Sequence, residues 1–173
     1  LCFKFGGYVA HKKSVDVMNF FLLSSYYPLG VTLSFKNKFD LPTNRPIIFV
    51  SNHQSMYDIP PLIWFLRKYH VKFISKIELT KGIPSISFNL KYGGGANIDR
   101  NDKKQAVAEI LKLGIRMQQN NCSAAIFPEG TRSKNGKMKD FQVVGFATIL
   151  KKAPNAQMVP VCIENSWKVF LFG

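Results

Sequence analysis

The heptapeptide Asn52-His53-Gln54-Ser55-Met56-Tyr57-Asp58 holds an imidazole and a carboxylate five residues apart. On a continuous helix that spacing would turn the two side chains about 140° away from one another. They can meet if His53 lies on a turn and Asp58 in the first turn of the helix that follows. The carboxylate then accepts the proton on one imidazole nitrogen, fixes the tautomer and leaves the other nitrogen free as a general base. Such a pair suits removal of a proton from a hydroxyl, and the hydroxyl can belong to a substrate. A pair of this kind could equally activate water against a thioester or a phosphoester. Asn52 and Ser55 are residues of the type that form turns and helix caps.

The flanking segments can supply the required turn. Ile47 to Val50 is a short β-branched apolar run and reads as a buried strand, whereas the longer run Ile59 to Leu66 reads as a helix. Pro60 and Pro61 fall near the start of that helix, where proline is best tolerated, and the helix is expected to reach about Tyr69. A strand-to-helix turn is where an α/β fold places its chemistry.

A second constellation is Phe127-Pro128-Glu129-Gly130-Thr131-Arg132-Ser133, which follows the apolar stretch from Ser123. Gly130 frees the backbone for close approach to a ligand, Thr131 and Ser133 offer hydroxyls, and Arg132 offers a planar fork matched to phosphate. Glu129 could orient Arg132. Lys134 to Lys139 then forms a basic loop with its turn at Asn135-Gly136. Gly93-Gly94-Gly95 permits a tight turn before the short strand that ends near Arg100.

The remaining elements alternate. Val17 to Tyr27 reads as an aromatic helix, Val31 to Lys36 alternates like a half-buried strand, and Lys72 to Ser75 is a further strand. Val17 to Phe35 has 19 uncharged residues, a length that meets the criterion for a membrane span, but Asn19, Ser24, Ser25, Pro28 and Gly30 interrupt it. Val107, Ile110, Leu111, Gly114 and Met117 recur with helical spacing, so Asp102 to Gln119 is an amphipathic helix with a core-facing stripe and Asn101 as its cap. Phe141 to Lys152 reads as a helix, and Met158 to Ile163 as a strand whose Pro160 places it at an edge or a bulge. These elements predict an α/β fold with a layered mixed, partly parallel sheet flanked by helices.

The 173 residues have the length of one domain, and 24 Lys and Arg against 10 Asp and Glu leave a net charge of +14. The surplus calls for a polyanionic partner: nucleic acid, an anionic membrane surface or phosphorylated substrates. A basic nucleic-acid-binding module would account for the charge, but the lysines are spread along the chain and no RNA-recognition, KH or zinc-finger signature is present, so no nucleic acid is expected. Cys2, Cys122 and Cys162 form no CxxC pair, which argues for a reducing compartment and against a zinc site. The chain opens on Leu1 and stops at Gly173 within an apolar run, so both ends are read as truncated.

Four motifs, in order, carry a resemblance: Asn52-His53-Gln54-Ser55-x-x-Asp58, Gly95-Ala96-Asn97-Ile98-Asp99-Arg100, Phe127 to Ser133, and Val159-Pro160-Val161. Together they resemble those of the glycerolipid acyltransferases, most closely the 1-acylglycerol-3-phosphate (lysophosphatidic acid) acyltransferases. The resemblance covers roughly Val31 to Ser166 and implies transfer of an acyl group from acyl-CoA or acyl carrier protein to a lysophospholipid, without cofactor or metal. Glycerol-3-phosphate and other lysolipids are alternative acceptors. The resemblance further implies His53 as base and Asp58 as its orienting partner. Lys76, Arg100, Glu129, Gly130, Thr131 and Arg132 would form the acceptor-phosphate site, and Pro160 would bind the acyl donor or shape the site. It also implies a glycerol-3-phosphate acyltransferase-like catalytic domain over 31–173. Residues 1–30 would be a helical element at the membrane interface, monotopic or peripheral, on the cytoplasmic face. The chain departs from the family at Phe141-Gln142-Val143-Val144-Gly145, where a lysine and an earlier glycine are usual.

Overall fold

The computed structural model describes residues 2–133 and 135–170. Its centre is a sheet of five strands: β1 (Ile47–Ser51), β2 (Lys72–Lys76), β3 (Ala96–Ile98), β4 (Ala124–Ile126) and β5 (Gln157–Val161). The order across the sheet is β3-β2-β4-β1-β5, and every pairing is parallel. The expected mixed sheet is therefore parallel throughout the described residues. Parallel neighbours need crossovers, and the helices that supply them cover both faces.

Alternation along the strands divides the core. Ile48, Ala124 and Ile126 point to one face, where they meet Ile110, Leu113 and Met117 of α4 (Lys103–Asn120) and Ile149 of α5 (Val144–Leu150). Ile47, Phe49 and Ala125 point to the other face and meet Leu62 of α2 (Ile59–Phe65) together with Leu66 and Tyr69. Ile47, Ile48, Leu113 and Met117 are fully buried, as expected of strands covered on both sides. Within the stripe of α4, Val107 is exposed and Leu113 takes its place in the core. The helix is capped by Asp102, whose Oδ1 accepts from Gln105 N–H at 3.0 Å, rather than by Asn101.

Three other segments differ from the sequence expectation. The N-terminal helix α1 (Cys2–Ser24) begins well before Val17 and accommodates a break at Gly7, whose φ of 64° lies in the left-handed region. Among the described residues no helix is long and apolar enough to cross a membrane. Val31 to Lys36 forms no strand: its outward alternation finds no sheet edge to pair with, and Phe35 stacks on Phe65 with ring centroids 4.8 Å apart. The helix after Asp58 ends at Phe65, and a 3-10 turn over Arg67–Tyr69 carries the chain on to His70. α3 (Ile86–Tyr92) lies between β2 and β3.

β5 pairs with β1 alone and forms one edge of the sheet, which is where Pro160 can lack an N–H without breaking a central ladder. Because all strands run the same way, the loops after β1, β2, β3, β4 and β5 emerge at one end. His53, the Lys76 terminus of β2, Arg100, Glu129 to Ser133 and the segment beyond Val161 are thereby collected along a single edge.

Candidate active site

Ser55 turns the chain from strand into helix. It caps the 3-10 turn Met56–Asp58, its Oγ accepting from Tyr57 N–H at 3.2 Å, and α2 starts directly afterwards. The turn brings the Asp58 carboxylate back over the heptapeptide. Its Oδ2 accepts from Gln54 N–H at 2.7 Å, from Ser55 N–H at 3.0 Å and from His53 Nδ1 at 2.8 Å. The two residues predicted to meet across a turn do so.

Asp58 is 2% exposed. Burial works against the ionised carboxyl and pushes its pKa up. The hydrogen bonds from His53 and from the Ser55 and Gln54 backbone, with the Ser166 hydroxyl near by, outweigh that effect and hold it below its ordinary value. An ionised Oδ2 can only accept, so the proton between it and His53 belongs to Nδ1, and Nε2 is left with a free lone pair. Among the described residues Nε2 makes no hydrogen bond, and the imidazole retains 17% exposure.

The register of the sheet determines what faces His53. Val50 pairs with Ile126, so His53 and Glu129, each three residues further on, come together. Glu129 Oε1 accepts from His53 N–H at 2.8 Å, and His53 O accepts from Ser133 N–H at 2.8 Å, which holds the His53 backbone on both sides. The Phe127 ring stacks on the imidazole with centroids 4.0 Å apart and planes 19° from parallel. Rotation of the imidazole away from Asp58 would have to break both the stack and the hydrogen bond.

Glu129 departs from expectation. It is 4% exposed, and its second oxygen accepts from Lys139 N–H at 2.9 Å. Its bonds run to backbone amides rather than to Arg132, and a buried carboxylate engaged by two backbone amides is a clamp joining the His53 turn to the basic loop. Lys139 adds to the clamp, its Nζ donating to Arg132 O at 3.0 Å. Gly130 has a φ of 69°, which a side-chain-bearing residue adopts only with strain, and its carbonyl receives the Arg100 guanidinium. The second and third motifs are joined by that bond. Lys76, Thr131 and Arg132 carry exposed side chains along the same edge. Pro160 is exposed and opposite Val50, set back from the dyad in the strand. The basic loop starts at Lys134, which lies outside the described residues.

Asn52, Phe127 and Lys139 tie the site together, a task that sequence reasoning gave to none of them. Asn52 looked like a turn residue, yet its side chain brackets Ile163, accepting from the N–H at 2.7 Å and donating to the carbonyl at 2.8 Å. Only the approach of the chain after β5 reveals that task.

The depressed pKa of Asp58 has a consequence for stability. A carboxyl whose folded pKa lies below its unfolded value stabilises the fold above the unfolded value and loses that contribution as pH falls through the folded one. Urea unfolding should show a stability loss in the acid range, below the ordinary value of 3.8, that is smaller in Asp58→Asn than in the wild type. Equal acid losses in the two proteins would contradict this assignment.

Comparison with known proteins points the same way as this geometry. The family model described as Acyltransferase matches residues 32–164. The chain is 35% identical over 144 residues to the 1-acyl-sn-glycerol-3-phosphate acyltransferase of Helicobacter pylori, covering 82% of this chain and 56% of that protein. It is 31% identical over 153 residues to the human 1-acyl-sn-glycerol-3-phosphate acyltransferase beta, covering 88% and 54%, and 33% identical over 135 residues to the chloroplastic enzyme BAT2 of Brassica napus, covering 78% and 38%. The crystal structure of PlsC, the 1-acyl-sn-glycerophosphate (LPA) acyltransferase from Thermotoga maritima, superposes with a TM-score of 0.65 at 28% identity, over 84% of this chain and 55% of that one. The chain thus spans less than two thirds of the length of these relatives. With the His53 and Asp58 pair, the Glu129 clamp and the parallel sheet all inside the matched region, this chain belongs to the Acyltransferase family.

Proposed function

We propose that this protein transfers a fatty acyl group from an acyl thioester to the free hydroxyl of 1-acyl-sn-glycerol-3-phosphate, giving phosphatidic acid. The observation that carries the reading is the His53 Nδ1 to Asp58 Oδ2 bond of 2.8 Å, which leaves Nε2 unoccupied. In this mechanism Nε2 takes the hydroxyl proton as the acceptor oxygen attacks the thioester carbonyl carbon. The carbon–sulfur bond then breaks, and the proton passes from His53 to the departing thiolate. Acyl-CoA and acyl carrier protein are both suitable donors, and neither a cofactor nor a metal is needed.

The acceptor phosphate is assigned to the cationic edge formed by Lys76, Arg100 and Arg132, with the Thr131 hydroxyl and the backbone around Gly130 beside them. Guanidinium groups suit a phosphate because their donors match it in pairs. Pro160 shapes the site indirectly, by setting the path of the chain into the segment that Asn52 brackets. The test is transfer of a labelled acyl group from acyl-CoA to lysophosphatidate in mixed micelles, with product analysis. Wild type should form phosphatidate, and His53→Ala should lose on the order of 10²-fold or more of that rate while remaining folded. Free fatty acid released without regard to acceptor would identify a hydrolase instead. A preference for glycerol-3-phosphate or another lysolipid would retain the chemistry and change the acceptor.

The partner surface follows from α1. Beyond the break at Gly7, Val9, Lys13, Val17 and Phe21 recur every four residues and all are exposed, whereas His11, Asn19 and Leu23 are buried. Phe5 is 79% exposed and Phe21 66%. An outward apolar stripe on a chain of net charge +14 supports an interfacial helix lying on an anionic membrane, with each basic residue near the surface worth about 1 kcal/mol. In flotation experiments the protein should bind phosphatidylglycerol vesicles more strongly than phosphatidylcholine vesicles, and Phe21→Glu should weaken both. Equal recovery with Phe21→Glu and wild type would remove α1 from the membrane contact.

A further inference from the structure

At the end of the sheet opposite the dyad, a cavity of about 70 Å³ lies between α1 and the starts of β2 and β3. Its walls carry three cations, Lys12, Arg67 and Lys72, and one acid, Asp16. Asp16 is taken by Lys12 within α1, and Lys12 also donates to Arg67 O at 3.1 Å. The cations run from the surface inward: Arg67 is exposed, Lys12 half-buried and Lys72 buried. Among the described residues no carboxylate lies within ion-pair distance of Lys72. A buried ammonium without a counter-charge is costly unless its protons are well received.

The hydrogen bonds of Lys72 fall one acceptor short. Its Nζ donates to Gly93 O at 2.7 Å and to the Tyr8 hydroxyl, and it lies 3.2 Å from His70 Nε2. The Tyr8 hydroxyl lies 2.8 Å from the same His70 nitrogen. Burial, and then the Lys72 charge, push His70 down to about 4, whereas burial brings Lys72 only to about 8. Near neutral pH the lysine is charged, the ring is not, and Nε2 offers one lone pair to two donors. If Tyr8 takes it, the third Lys72 proton is left over. If Lys72 takes it, Tyr8 is left with Gly93 O at 3.4 Å, beyond the usual range of a hydrogen bond. Arg67 commits Nη1 to Trp64 O at 2.8 Å, and among the described residues its Nη2 makes no hydrogen bond.

We propose that this cavity is a phosphate-binding site separate from the acceptor site, in which the anion bridges Lys72 of the sheet, Arg67 of the turn before it and Lys12 of α1. A phosphate there supplies the missing acceptor and the missing negative charge together. Guanidinium and ammonium donors suit its oxygens, and the volume is well above the roughly 10–15 Å³ that one water requires. Because α1 and the sheet both contribute, occupancy fastens α1 to the domain. The same group can arrive as free phosphate or as the headgroup of an anionic lipid. The inference does not depend on the acyl-transfer reading.

The experiment follows the His70 ring by 15N NMR of histidine-labelled protein, assigned through His70→Gln, while inorganic phosphate is added against sodium chloride of equal ionic strength. The His70 signals should move saturably with phosphate and not with chloride. Arg67→Gln, a change at an exposed side chain, should weaken that response by at least about tenfold, the size of one charge-assisted bond. Lys72→Met should abolish it, and Arg67→Gln carries the test alone should Lys72→Met not fold. Arg132→Gln, at the catalytic edge, should leave the response intact. Soluble dihexanoyl phosphatidylglycerol distinguishes the sources: tighter binding than inorganic phosphate marks a headgroup site, and weaker binding a site for the free ion. The proposal is overturned if neither probe gives a saturable shift, or if the response survives Arg67→Gln unchanged. Loss of the response in Arg132→Gln would assign the phosphate to the acceptor site and overturn it equally.

Discussion

Three N–H groups converge on one oxygen of Asp58, and the site is built around that convergence. The backbone amides of Gln54 and Ser55 could be satisfied by water or by another cap, but the His53 imidazole could not be oriented by either. By taking all three, the carboxylate makes the path of the turn and the orientation of the imidazole a single structural event. It remains ionised in a nearly dry position because its hydrogen bonds outweigh the cost of burial.

A second carboxylate does the same for the loop opposite. Glu129 links the His53 amide to the Lys139 amide, so the His53 turn and the basic loop cannot move independently. Arg100 extends the link to the turn after β3 through the Gly130 carbonyl. The parallel sheet is what allows these bonds. Its register sets Val50 beside Ile126 and Lys76 beside Ile98, and the residues that follow each strand meet at one edge. The chemistry is thus held by backbone acceptors and buried anions, while the cations that would meet a phosphate stay exposed.

The dyad was legible in the sequence because a histidine and an aspartate five residues apart across a strand-to-helix turn have essentially one way to meet. The strands that line the core were legible too, since apolar β-branched runs such as Ile47 to Val50 have few other places to go. What could not be read depended on distant partners. Val31 to Lys36 has the alternation of a strand, but a ladder needs an open edge within reach, and Phe35 found Phe65 instead. The uncharged aromatic run marks only Val17 to Tyr27 as helix, whereas α1 begins at Cys2 and takes a break at Gly7, where the φ is positive. Glu129 was read by its charge, beside an arginine, when its burial and the register of β1 against β4 decide its contacts.

The central claim is that Asp58 holds His53 with its proton on Nδ1, leaving Nε2 as the base. The direct measurement is 15N NMR of histidine-labelled protein near neutral pH, with the His53 signals assigned through His53→Gln. The account predicts that the neutral form of the ring carries its proton on Nδ1 and leaves Nε2 bare, and that this tautomer preference is lost in Asp58→Asn. A His53 ring protonated on Nε2 in the wild type, or one that keeps its tautomer without Asp58, would contradict the account.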